Sequence, residues 1–77
     1  MTARPIDRLT DRELAVFELI GEGRTTREIG ARLHVGLTTV DTYRSRIKEK
    51  MNLENAAQLH AEASRWILER ESCMAEA

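Results

Sequence analysis

A single cysteine, a single proline and one each of Trp, Tyr and Phe leave this 77-residue chain short of several building materials. Cys73 has no partner for an internal disulfide, which fits a reducing compartment, and so near the end of the chain it reads as an inert thiol. Aromatic residues make up only 4% of the chain, so a core has to be assembled from Leu, Ile, Val, Met and Ala, as in compact helical folds. A large buried cofactor pocket is not expected from such material, and no cofactor is predicted. Apolar runs such as Leu14 to Phe17 fall far below the roughly 20 residues of a membrane span. Met1 is not followed by a basic-then-apolar signal segment, and a cytoplasmic protein with no membrane partner is expected. The length suits one domain with one modest core and leaves no room for a second sensing or catalytic domain.

Net charge is −1, which on its face disfavours an acidic partner, but the charge is unevenly placed. Residues 24–50 carry Arg24, Arg27, Arg32, Arg44, Arg46, Lys48 and Lys50 against Glu28, Asp41 and Glu49, a local charge of +4. Residues 1–23 sum to −2 and residues 51–77 to −3. A central basic band of this kind can face phosphates while acidic ends keep the chain in solution.

Residues 1–8, with the only proline, Pro5, have no helical period and read as a linker or lead-in; residues 9–70 read as the domain and 71–77 as a fraying tail. No internal repeat or low-complexity segment is present. Thr10 and Glu13 form a Thr-x-x-Glu capping box, and Glu13, Val16, Phe17 and Ile20 follow at helical spacing, predicting a helix from about Asp11 to Glu22 that Gly21 and Gly23 end through left-handed backbone. A second box, Thr25 and Glu28, opens a short helix whose apolar stripe is Ile29 and Leu33. After a tight connection at His34, Val35 and Gly36, a third helix is predicted over Thr38 to Met51, with Asn52 breaking it. A fourth should be capped by Asn55 and run to about Arg70. The expected fold is all-α, a four-helix bundle-like domain containing a helix-turn-helix.

A short helix, a tight turn and a longer helix make up the helix-turn-helix plan, in which the second of the pair enters the DNA major groove. At 100° per residue, turning Val40, Ile47 and Met51 inward points Thr38, Thr42, Ser45 and Glu49 outward, with Asp41 and Lys48 on one flank and Arg46 on the other. Small polar side chains at the N-terminal end of that face allow close approach to base edges and can donate or accept there. Arg44, Arg46, Lys48 and Lys50 rim the helix on long stems suited to phosphates, and the helix N-termini near Thr25 and Gly36 add free N–H groups. Thr26, Arg27, Thr39 and Tyr43 are expected to join them as phosphate contacts. A solvated charged face is the ordinary alternative for the same residues.

Leu9-Thr10-Asp11-Arg12-Glu13, Glu22-Gly23, Thr26-Arg27-Glu28-Ile29, Leu33, Thr39-Val40, Arg44, Ile47, Lys50 and Leu53 together resemble the LuxR-type domain, also called the NarL/FixJ type, over about Leu9 to Ala63 without a gap. The resemblance implies a four-helix transcription-factor output domain, often fused behind a receiver or ligand-sensing domain, that dimerises through its last helix and acts with RNA polymerase. It also implies that Asp41, Thr42 and Ser45 stand where bases are read. Three positions depart from the family pattern. Gly36 replaces a serine cap, which removes one side-chain contact but still permits the helix. Tyr43 replaces a histidine; it reads equally as a core aromatic or as a half-buried ring with its hydroxyl toward the backbone or a phosphate. Asp41 places a carboxylate near phosphates, where it is repelled but can accept from cytosine N4.

In the fourth helix, Leu59, Ala63 and Ile67 are expected to close the core. Ala57, His60, Ala61 and Ser64 are expected to meet a second copy, with Trp66 and Ile67 adding apolar area. Catalysis finds no support: His34 and His60 lack Cys or carboxylate neighbours at metal-ligand spacing, and no nucleophile-elbow or phosphate-loop motif occurs. No metal is expected. The rival classes are a helical protein-interaction module that does not bind DNA, and the promoter-recognition domain of a sigma factor.

Overall fold

Two reciprocal capping boxes begin the fold. The Thr10 N–H donates to Oε1 of Glu13 at 2.9 Å while the Glu13 N–H donates to Oγ1 of Thr10 at 3.2 Å, and Thr25 and Glu28 repeat both bonds at the same distances. Each box satisfies two N–H groups that a helix start would otherwise orphan. They fix the starts of α1, Asp11–Gly21, and α2, Thr26–Leu33. The computed structural model describes residues 5–75, with side chains over residues 6–71. Among these residues, two further helices complete the fold, α3 at Leu37–Lys50 and α4 at Ala56–Ala75, and there is no strand.

The breaks between helices have local causes. His34 adopts left-handed backbone (φ 58°, ψ 44°), and the Val35 N–H turns back to the Gly30 carbonyl at 3.0 Å, so α2 ends in a tight turn. A methyl group on Gly30 would meet the Val35 carbonyl oxygen at 2.8 Å, which explains glycine there. Asn52 also takes a left-handed turn (φ 58°), and the Leu53 N–H reaches the Lys48 carbonyl at 2.7 Å to close α3. Oδ1 of Asn55 accepts from the Gln58 N–H at 2.9 Å, the cap expected for α4.

α1 lies at the centre and packs against α2, α3 and α4. Its buried face, Glu13, Val16, Phe17 and Ile20, meets Ile29 of α2, Val40 and Ile47 of α3, and Leu59, Ala63 and Ile67 of α4. Each fully buried aliphatic or phenyl side chain contributes about 1.5–3 kcal/mol, so this shared core, and not helix propensity, holds the short α2 in place.

Several boundaries and roles differ from the sequence reading. α3 begins one residue earlier, at Leu37, and α4 continues past Arg70 to Ala75. Pro5–Arg8 forms a 3-10 turn whose Ile6 is partly buried against the core, so the lead-in is not wholly without structure. Residues 1–4 and the side chain of Cys73 lie outside the described residues. Gly21 remains inside α1; the left-handed residue that ends the turn is Gly23 (φ 86°). A methyl on Gly21 would lie 2.5 Å from both the Ala63 carbonyl oxygen and Cγ1 of Ile67, so this glycine serves the close approach of α1 to α4. Trp66 turns inward: its ring stacks at a tilt on Phe17, 5.6 Å between centroids, and the Arg70 guanidinium covers it at 4.9 Å. Part of its apolar area is thus used within the chain, and the rest stays accessible. Arg70 also pairs with Glu18, tying α4 back to α1.

Candidate nucleic-acid interface

α3 is anchored by one edge only. Val40 and Ile47 are fully buried at 0% exposure, and Tyr43 and Met51 are partly buried against the core. The opposite edge, Thr38, Asp41, Thr42, Ser45, Arg46 and Glu49, is exposed, as is Thr39. The inward and outward residues expected from the 100° step are therefore separated as the sequence predicts, because one buried stripe fixes the rotation of a helix.

The exposed edge has detailed chemistry. Oγ1 of Thr42 donates to the Thr38 carbonyl at 3.1 Å, which fixes the rotamer and leaves the hydroxyl oxygen its capacity to accept. Gly36 caps α3 with extended backbone (φ −75°, ψ 165°) and no side-chain hydrogen bond, so the first N–H groups of α3 keep no side-chain cap. Leu37, half exposed, stands at the leading end beside Thr38; the sequence reading began the helix after it and so missed it.

The basic band divides into engaged and free cations. Arg24 contacts Glu28 at 3.5 Å and Glu22 at 3.8 Å. Arg27, Arg32, Arg46 and Lys48 form no ion pair among the described residues and remain available around α2 and α3. Arg44 is partly buried, and its Nη1 donates to Oγ1 of Thr26 at 2.8 Å, so two expected phosphate contacts from α2 and α3 meet at the start of α2. Nη2 of the same residue lies 3.4 Å from Nε2 of His60.

Lys50 has a task that the sequence reading did not give it. Its Nζ lies 2.6 Å from Oε1 of Glu13, a carboxylate only 2% exposed on the buried face of α1. Burial pushes the Glu13 carboxyl up, but the Lys50 ammonium and the N–H and hydroxyl of Thr10 outweigh it and hold the group below its ordinary value of 4.5. Glu28 is also held low, first by the Thr25 N–H and then by the Thr25 side chain and Arg24. A carboxylate in register with Val16, Phe17 and Ile20 was the available signal, since a buried charge requires a partner.

Of the residues expected to meet a second copy, Ala57, His60, Ala61 and Ser64 are all exposed, on a different edge of α4 from the buried Leu59, Ala63 and Ile67. Among the described residues no helix is long and apolar enough to cross a membrane, and no group of three or more His, Cys, Asp or Glu side chains could hold a metal ion.

A short helix, a tight left-handed turn and a second helix with one free edge define a helix-turn-helix protein. Residues 7–63 match the family model described as bacterial regulatory proteins, luxR family, and the chain belongs to that family of DNA-binding transcriptional regulators. It is 38% identical to the transcriptional regulatory protein LiaR of Bacillus subtilis, over 82% of this chain and 30% of that one. It is 39% identical to a putative transcriptional regulator of Pseudomonas aeruginosa, over 74% of this chain and 28% of that one. It is 30% identical to the DNA-binding transcriptional activator EvgA of Escherichia coli, over 78% of this chain and 29% of that one. The chain therefore spans under a third of the length of these relatives. No solved structure matches it.

Proposed function

We propose that this chain binds double-stranded DNA sequence-specifically as the output module of a transcriptional regulator, with the outer edge of α3 in the major groove. The observation that carries this reading is the division of α3 into a stripe buried to 0% at Val40 and Ile47 and an exposed edge of small polar side chains flanked by Arg46 and Lys48, which form no ion pair among the described residues. A major groove about 12 Å wide accepts one helix presented in that way.

In this reading Thr38, Asp41, Thr42 and Ser45 contact base edges. Thr26, Arg27, Thr39, Tyr43, Arg44, Arg46 and Lys48 contact the phosphate backbone, which sets position without reading sequence. Lys50 is left out of that set because the Glu13 carboxylate engages its ammonium. Ala57, Ala61 and Ser64 on the exposed edge of α4 support self-pairing, and a two-fold dimer of such modules reads half-sites about 10 base pairs apart or a multiple of that. The module of residues 9–70, together with the Pro5–Arg8 turn and the end of α4 that flank it, works in the cytoplasm without a cofactor or catalytic activity, behind a receiver or sensing domain and in concert with RNA polymerase. The lengths of the relatives, of which this chain covers 28% and 30%, support the two-part arrangement.

Gel-shift titration against random duplex DNA tests the reading. Affinity should fall with salt with a log-log slope near −0.9 for each phosphate contacted. A chain with no salt-sensitive affinity would instead be a helical interaction module.

A further inference from the structure

The guanidinium of Arg44 is held from two sides, by Oγ1 of Thr26 at 2.8 Å and by Nε2 of His60 at 3.4 Å. Arginine carries five N–H donors and no acceptor, so at the second contact the imidazole nitrogen has to accept, which places the ring proton on Nδ1. Thr26 is the first residue of α2, so the clamp joins α2, α3 and α4 at one point. Three N–H donors of Arg44 remain. A cation beside the positive end of the α2 dipole is least repelled when an anion sits against both, and a phosphate of the DNA backbone is such an anion.

From this geometry we infer that His60 is a positioning residue for Arg44: its neutral imidazole holds the guanidinium against Thr26, so that the remaining donors present a fixed fork to a DNA phosphate at the start of α2. The inference rests on the DNA reading proposed above and deepens it. An arginine side chain that is already held loses less rotamer freedom on binding than a free one, so the clamp raises affinity without touching DNA itself. It also gives His60 a task on the α3 side of α4 in place of self-pairing.

The test uses the whole chain, a short random-sequence duplex at low salt, and the variants His60→Ala, His60→Gln, Arg44→Ala and His60→Ala with Arg44→Ala. The Gln Oε1 sits about as far from the backbone as the His Nε2 and accepts a hydrogen bond, so it should restore the clamp. Truncating His60 should weaken binding about threefold, in keeping with one modest hydrogen bond, and His60→Gln should restore most of it. In the Arg44→Ala background, His60→Ala should change nothing. His60 is exposed and Arg44, though partly buried, is not part of the apolar core, so these variants keep that core, and circular dichroism verifies their helicity. Unaltered binding by His60→Ala, a loss that persists without Arg44, or no recovery with Gln would each overturn the positioning role. A parent chain with no salt-dependent affinity would overturn the DNA reading, and this inference with it.

Discussion

Lys50, the last residue of α3, reaches across to Glu13, near the start of α1, and the two charges meet at 2.6 Å in a site where the carboxylate is almost sealed from water. The pair ties the far end of the proposed reading helix to the central helix. Thr10 completes it, since its N–H donates to the same Oε1. The arrangement turns a residue that looks like one of several phosphate-seeking lysines into a part of the fold.

Lys50→Ala leaves the Glu13 carboxylate buried without its counter-ion. Because Lys50 itself is one-third exposed and water can partly replace it, the loss should be about 1–3 kcal/mol, below the value for a fully enclosed pair. Urea unfolding measures it. Held well below the unfolding midpoint, the same variant should keep most of its DNA affinity, whereas a phosphate-contacting lysine would reduce both affinity and salt slope.

Acid should weaken the fold through the same carboxylate. The folded-state pKa of Glu13 lies below the ordinary 4.5, so its contribution is fully present above the unfolded value and is lost as pH falls through the folded one. Unfolding free energy measured from about pH 6 to pH 3 should therefore drop more steeply for the parent than for Glu13→Gln, which has no proton to take up there. Parallel curves for the two chains would remove Glu13 from the acid response.

His34 holds a left-handed backbone that a β-carbon disfavours. Replacing it with glycine should raise stability by about 0.5–1 kcal/mol, because relief of strain exceeds the added freedom of the unfolded chain. Thermal unfolding should show a melting temperature several degrees higher. Asn52→Gly should gain less, since asparagine tolerates the same backbone well.

Gly21→Ala should do the reverse. Its methyl would press on the backbone of Ala63 as well as on Ile67, and α1 and α4 would have to separate at a loss of about 1–3 kcal/mol. Gly36→Ser is the contrasting control: nothing lies within 4 Å of the added atom, and the new N-cap hydroxyl should add a few tenths of a kcal/mol. Chemical denaturation of both variants distinguishes the two kinds of glycine.

Much of the fold was legible in the sequence because its instructions are local. Thr10 with Glu13 and Thr25 with Glu28 mark helix starts by a three-residue spacing, and the stripe of Val40 and Ile47 sets the rotation of α3 by periodicity alone. What escaped depends on partners distant in the chain. No spacing rule links Glu13 to Lys50 or Arg44 to His60; each needs the packed helices to bring the groups together. Gly21 escaped for the same reason, since a helix-ending role and a close-packing role look alike until the path of α4 is known. The contact of Trp66 with Phe17 escaped as well, because nothing in its own segment foretold that ring beneath it.

The most direct test of the central claim is a base-by-base affinity profile. A preferred duplex is selected from a random pool, and single base-pair changes are then measured against the parent, Thr42→Ala and Arg46→Ala. Thr42→Ala should flatten the preference at one base pair by about 1–3 kcal/mol, while Arg46→Ala should weaken every duplex alike and lower the salt slope. Uniform losses from both variants, or a profile that Thr42→Ala leaves intact, would contradict an outer edge of α3 that reads bases.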